Sequence, residues 1–129
     1  MSFILIPNNG EDLKVNAWNW RPTILLLHHA TLIGGKQHAL MGCIGCGGSV
    51  NSETANRIAD FLEQQLTKMS PGQRIRADLT VTAKPKKLAV FTPNSKIEDF
   101  DAGEIYSATY EWLLMFRDFC RVSQGFKVS

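Results

Sequence analysis

The sequence predicts an α+β fold, a single small domain with about three helices packed on a short, mainly antiparallel sheet of about four strands. Two patterns support this class. Apolar residues recur at helical spacing in the longer segments, and short alternating or apolar runs lie between turn signals. The chain has 129 residues, which is the usual size of one domain, so residues 1–129 are expected to form one globular unit.

The first predicted elements are two strands that form a hairpin. Residues 2–6, Ser-Phe-Ile-Leu-Ile, are a short apolar run that Pro7 ends. Residues 8–10, Asn-Asn-Gly, are a turn signal. Residues 13–17 then alternate between apolar and polar side chains, which favours a second strand beside the first.

A buried helix is predicted from about Pro22 to Ile33, with a strand as the alternative for its apolar run. Proline is favoured at the first helical position, and the glycine pair Gly34-Gly35 provides a stop. The segment before it, which contains Trp18 and Trp20, then reads as strand-like.

The clearest predicted helix runs from about Ser52 to Met69, with Asn51 as its N-cap. Its apolar residues fall on one helical face, which indicates a structural helix with the opposite face in water. These residues are Ala55, Ile58, Ala59, Leu62, Leu66 and Met69.

Two more strands are expected in the second half of the chain. Residues 74–83 alternate between apolar and polar side chains, and residues 88–92 form a second short run. The Lys-Pro-Lys-Lys stretch at 84–87 would connect them as a hairpin.

The last predicted helix begins near Asp101 and ends near Ser123. Asp101 and Glu104 have the spacing of a capping box, and Gly125 suits the left-handed position after a helix. Because its polar strip is narrow, this helix is expected to lie in the core or in an interface.

The composition argues against several functional classes. The formal net charge is only +2, whereas nucleic-acid binders usually concentrate basic residues on one face, so no nucleic-acid partner is expected. No run approaches the length of a membrane span, and the N-terminal apolar run is too short for a signal peptide. With only three cysteines, the protein is expected to be cytoplasmic, with reduced thiols and no membrane association.

The stretch Gly42–Ser49 is the strongest candidate for a chemical site. Cys43 and Cys46 have the spacing of one half of a zinc site, and His38 is a nearby third ligand. No second pair of ligands at such spacing follows, so two small cysteines packed in a glycine-rich turn are the preferred interpretation and no cofactor is predicted. Zinc remains the alternative.

Two further chemistries are weaker for the same stretch. A redox pair would need a helix N-terminus or a cation nearby, yet no Lys or Arg lies between Gln37 and Asn56. The glycines of residues 42–49 also suggest a loop for a phosphorylated ligand, but no P-loop or dinucleotide pattern is present.

The residues Trp18, Trp20 and Arg21 are the candidate partner-binding surface. In a strand-like segment both indoles would point the same way, and Trp and Arg are favoured as interface anchors. The alternative is that both tryptophans pack in the core. With no convergent catalytic set, the function expected is non-enzymatic binding of a protein partner or of a second copy. A bacterial-type immunity protein or antitoxin is one example.

Overall fold

The computed structural model describes residues 2–76, 79–82 and 107–129. Within these ranges the chain forms four helices and two antiparallel sheets, which confirms the predicted α+β class with one helix more than expected. The buried apolar side chains form one cluster, to which the helices and both sheets contribute.

The larger sheet consists of β1 (Ser2–Pro7), β2 (Leu13–Asn16), β3 (Ser49–Asn51) and β7 (Gly125–Val128). They lie in the order β2-β1-β7-β3, and all neighbouring strands are antiparallel. The predicted hairpin of the first two strands is confirmed, with Phe3 opposite Val15. Phe3 and Leu5 face the core, as the alternation of a half-buried strand requires.

Helix α1 covers Ala17–His29, so its predicted start at Pro22 is wrong by five residues. The reason is Asn16, whose side-chain oxygen accepts a hydrogen bond from the Asn19 N–H at 2.9 Å and caps the helix. Pro22 lies inside the helix and removes one backbone donor, which the helix tolerates one turn from its start.

Helix α2 covers Gly35–Met41 and was not predicted. The glycines expected to stop the previous helix instead begin this one, with Gly34 as its N-cap. Met41, at its end, is fully buried and ties the short helix to the core.

Helix α3 covers Ser52–Thr67 and confirms the strongest prediction. Asn51 is its N-cap, since its side-chain oxygen accepts from the Thr54 N–H at 2.8 Å. All six residues of the predicted apolar face are buried.

Helix α4 covers Tyr110–Ser123, and its predicted end is confirmed. Its predicted start is wrong, because residues 108–109 form a strand and Thr109 caps the helix by accepting from the Trp112 N–H at 3.1 Å. The predicted capping box at Asp101 and Glu104 lies outside the described residues. Gly125, at φ +100°, turns the chain into β7, and a Cβ there would lie 2.8 Å from the Val50 carbonyl oxygen.

The smaller sheet corrects the predicted strand at 74–83. It consists of β4 (Arg74–Ile75), β5 (Val81–Thr82) and β6 (Ala108–Thr109) in the order β5-β4-β6. The Arg76 N–H donates to the Thr80 carbonyl and Leu79 has a positive φ of 73°, so the chain turns back on itself. The predicted strand at 88–92 and its 84–87 connection lie outside the described residues.

Candidate functional site

The two tryptophans of the predicted binding surface lie on opposite sides of α1. Residues two apart in a helix point about 200° apart. The side chain of Trp18 is 52% exposed, whereas Trp20 is 0% exposed. The prediction that both indoles face the same way is therefore wrong, because the segment is helical, and Trp20 belongs to the core.

Trp20 supports the loop that carries the cysteines. Its indole Nε1 donates a buried hydrogen bond of 2.9 Å to the carbonyl oxygen of Met41, the last residue of α2. Its ring makes an edge contact with Phe116 of α4, at 5.5 Å between centroids. Trp20 thus fixes the end of α2 against the rest of the core.

Trp18 and Arg21 form a surface that we call the Trp18–Arg21 patch. They are three residues apart on α1, so their side chains are neighbours on one helical face. Both residues are exposed. The Arg21 guanidinium carbon lies 5.8 Å from the ring centroid of the buried Phe3, so this cation is held over the edge of the core.

Cys43 and Cys46 are joined by a disulfide bond in the loop between α2 and β3. Their Cα atoms are 5.4 Å apart, and the Cys46 N–H donates to the Cys43 carbonyl at 3.2 Å. Both residues are exposed. The expectation of reduced, inward-packed thiols is therefore wrong for this pair: the turn brings the two residues together and leaves them facing solvent.

His38 joins a cluster of histidines instead of the cysteines. Its ring stacks on His28 of α1, at 5.0 Å between centroids and 4° between planes, and His29 lies 6.3 Å from His28. Burial lowers the pKa of His38, and the neighbouring His28 and His29 lower it further. This cluster was missed because His38 lies on the unpredicted helix.

The zinc hypothesis finds no ligand set in this geometry. Sulfurs that are bonded to each other are not free thiolates, which are the form that binds zinc. Among the described residues, no three His, Cys, Asp or Glu side chains are grouped so that they could hold a metal ion. His38, Cys43 and Cys46 are therefore not brought together as ligands.

The phosphate-loop hypothesis also loses its structural basis. Anion-binding loops of this kind lead directly into a helix N-terminus. Here the loop leads into β3, which separates it from α3.

Ion pairs between α3 and α4 are a second feature that the sequence did not indicate. The Arg121 guanidinium donates a hydrogen bond of 3.1 Å to the Asp60 carboxylate, and it lies 3.3 Å from a carboxylate oxygen of Glu63. The Arg117 guanidinium lies 3.9 Å from the same Glu63 oxygen. The hydrogen bond to Asp60 raises the pKa of Arg121. These pairs are solvent-accessible and align two packed helices, which is a structural role.

No protein-family model matches the chain, and neither the curated proteins nor the solved structures contain a significant match. In the part of the chain that is described, no helix combines the length and apolarity needed to cross a bilayer.

Proposed function

We propose that the protein is a small, non-enzymatic, cytoplasmic protein that acts by binding another protein through the Trp18–Arg21 patch. An immunity protein or antitoxin is one concrete form of this function. The observation that supports the proposal is the 52% exposure of the Trp18 indole. Tryptophan and arginine dominate the binding energy of protein interfaces more often than other residues.

The patch defines the chemistry of the partner. The indole of Trp18 offers a large, rigid apolar surface with a polar N–H edge. Arg21 offers a fork of donors that matches a carboxylate. The partner is therefore a protein with an apolar pocket beside an Asp or Glu side chain.

The overall charge supports a protein partner over a nucleic acid or a membrane surface. A formal net charge of +2 over 129 residues provides little attraction for a phosphate backbone or for anionic lipid. The low cysteine count favours the cytoplasm over a secreted location.

The experiment compares capture of partners by the wild-type protein with capture by Trp18→Ala and Arg21→Ala variants. Met115→Ala is the matched control, because Met115 is also 52% exposed but lies on α4. A captured protein is then purified and its affinity for each variant is measured. We expect the control to bind like the wild type and each patch variant to bind about tenfold more weakly or worse.

Three outcomes would overturn the proposal. Equal affinity of all variants would move the binding surface away from the patch. A wild-type chain that captures no protein and sediments as a monomer would remove binding as the function. A dimer that Trp18→Ala dissociates would make the occupant a second copy of this chain instead of a different protein.

A further inference from the structure

The loop that carries Cys43 and Cys46 is fixed to the core at both ends. Before it, the Met41 carbonyl accepts the buried hydrogen bond from Trp20. After it, the Gly48 carbonyl accepts from the Val128 N–H at 2.7 Å. Gly48 is packed so closely on Met41 that a Cβ there would lie 2.7 Å from the Met41 Cγ. The two ends are thus held together without help from the disulfide.

Between these anchors the loop is open to solvent. Residues 43–47 are all exposed, and Ile44 is 48% exposed. Gly45 has a φ of +79° and a Cβ there would meet nothing within 4 Å. An incoming thiolate therefore has room to approach either sulfur, and the loop has room to change conformation while the anchors stay in place.

The third cysteine takes no part in this site. Cys120 is fully buried on α4, and burial raises the pKa of its thiol well above the usual range. A buried thiol that stays protonated is a poor nucleophile. Exchange at Cys43 and Cys46 therefore proceeds without scrambling to a third sulfur.

We propose that Cys43 and Cys46 form a reversible dithiol–disulfide site that exchanges electrons with a dithiol. This inference rests on the cytoplasmic location in the proposed function, but not on binding through the Trp18–Arg21 patch. Disulfides of cytosolic proteins are usually transient and serve catalysis or redox sensing, whereas structural disulfides staple domains that lack a sufficient core. This domain has a continuous core, and the bond closes only a short exposed turn.

The exchange consists of two balanced steps. A thiolate of the incoming dithiol attacks one sulfur, the Cys43–Cys46 bond breaks, and the released cysteine leaves as a thiolate that takes a proton from water. The second thiolate of the dithiol then attacks the mixed disulfide and releases the other cysteine. In total two electrons and two protons pass to Cys43 and Cys46, and the dithiol becomes a disulfide.

The test uses the full-length protein under native conditions, with dithiothreitol as the dithiol and glutathione disulfide as the oxidant. Exposed thiols are alkylated with iodoacetamide, and the adducts are located by mass spectrometry. We expect no adducts in the oxidised protein, adducts at Cys43 and Cys46 after reduction, and none again after reoxidation. Cys120 stays unmodified throughout, and the far-UV circular dichroism stays unchanged because the anchors persist.

Two controls isolate the site. A Cys43→Ser/Cys46→Ser variant is expected to keep the fold and to show no cycling. Cys120→Ala is expected to cycle like the wild type, and it excludes the buried thiol as a participant.

Two results would overturn the exchange site itself. If the bond resists dithiothreitol until the protein unfolds, the disulfide is a structural staple. If glutathione disulfide leaves both cysteines open to alkylation, they do not form a redox pair.

Discussion

Trp20 is the residue on which the arrangement of the cysteine loop depends most. It is fully buried, and its indole N–H satisfies the carbonyl of the equally buried Met41. Its ring also contacts Phe3, Trp112 and Phe116. Removing the N–H leaves a carbonyl in the core without its donor, and buried polar groups without partners are costly.

We predict that Trp20→Phe lowers the free energy of unfolding by about 2–4 kcal/mol, through lost volume and the lost hydrogen bond. Trp18→Phe, in the same helix but half exposed, is the matched control and is expected to change it by less than about 0.5 kcal/mol. Urea denaturation measures both. Equal effects of the two substitutions would contradict the opposite placement of the indoles.

The same two residues show what local sequence patterns settle and what they leave open. In a strand Trp18 and Trp20 would share a face, and in a helix they do not. The relative orientation of the two indoles therefore depends on where α1 begins. Pro22 suggested a late start because proline suits the first helical position, whereas the helix begins at the Asn16 cap. Asn51 was identified correctly because a long amphipathic run follows it.

At the scale of the elements, a partly buried chain of hydrogen bonds joins α1 to α4. The Trp112 Nε1 donates to the Thr23 hydroxyl at 2.9 Å, and this hydroxyl donates to the Asn19 carbonyl at 2.6 Å. The Asn19 side-chain oxygen also accepts from the Thr109 N–H at 3.0 Å. The cap of α4 is thus positioned directly by α1.

We predict that Thr23→Val, which keeps the shape but removes the hydroxyl, costs about 1–3 kcal/mol of unfolding free energy, because the Trp112 N–H loses its buried acceptor. In a Trp112→Phe background the same substitution is expected to cost less, since that donor is already gone. Urea denaturation of the four proteins in this double-mutant cycle measures the coupling. Strictly additive costs would show that the hydrogen bond contributes nothing.

Elements were predictable where they are long and missed where they depend on distant contacts. The apolar face of α3 repeats over several turns, so its spacing alone was enough. Helix α2 has seven residues, which is too short for a clear period, and its stability comes from burying Met41. Strand β7 exists because β1 and β3 lie on either side of it, which no local pattern indicates.

At the scale of the whole molecule, the sequence identified most of the reactive residues but not which of them meet. The spacing of Cys43 and Cys46 suits a zinc ligand pair, and it also suits a disulfide. His38 is close to both cysteines in sequence, yet α2 directs it to His28. Tertiary packing decided between chemistries that the local spacing left open.

The histidine cluster makes stability depend on pH. His38 of α2 faces His28 and His29 of α1, and β3, which also packs on α2, carries no titratable side chain. The pKa of His38 is lowered from its ordinary value of 6.5 by burial and then by the two histidines. Below pH 6.5 the unfolded chain therefore binds more protons at this site than the folded chain does.

This difference in proton binding sets the direction of the effect. The contribution of neutral His38 to the free energy of unfolding is fully present above about pH 7. It is lost as the pH falls from about 6.5 toward the lower pKa of folded His38. We predict that the urea concentration at the unfolding midpoint decreases as the pH is lowered from about 7.5 to about 5. In His38→Gln, whose side chain does not titrate, we expect a smaller decrease. If the unfolding midpoints of the two proteins fall in parallel with pH, other groups cause the acid sensitivity. Charging His38 would then not weaken the packing of α1 against α2.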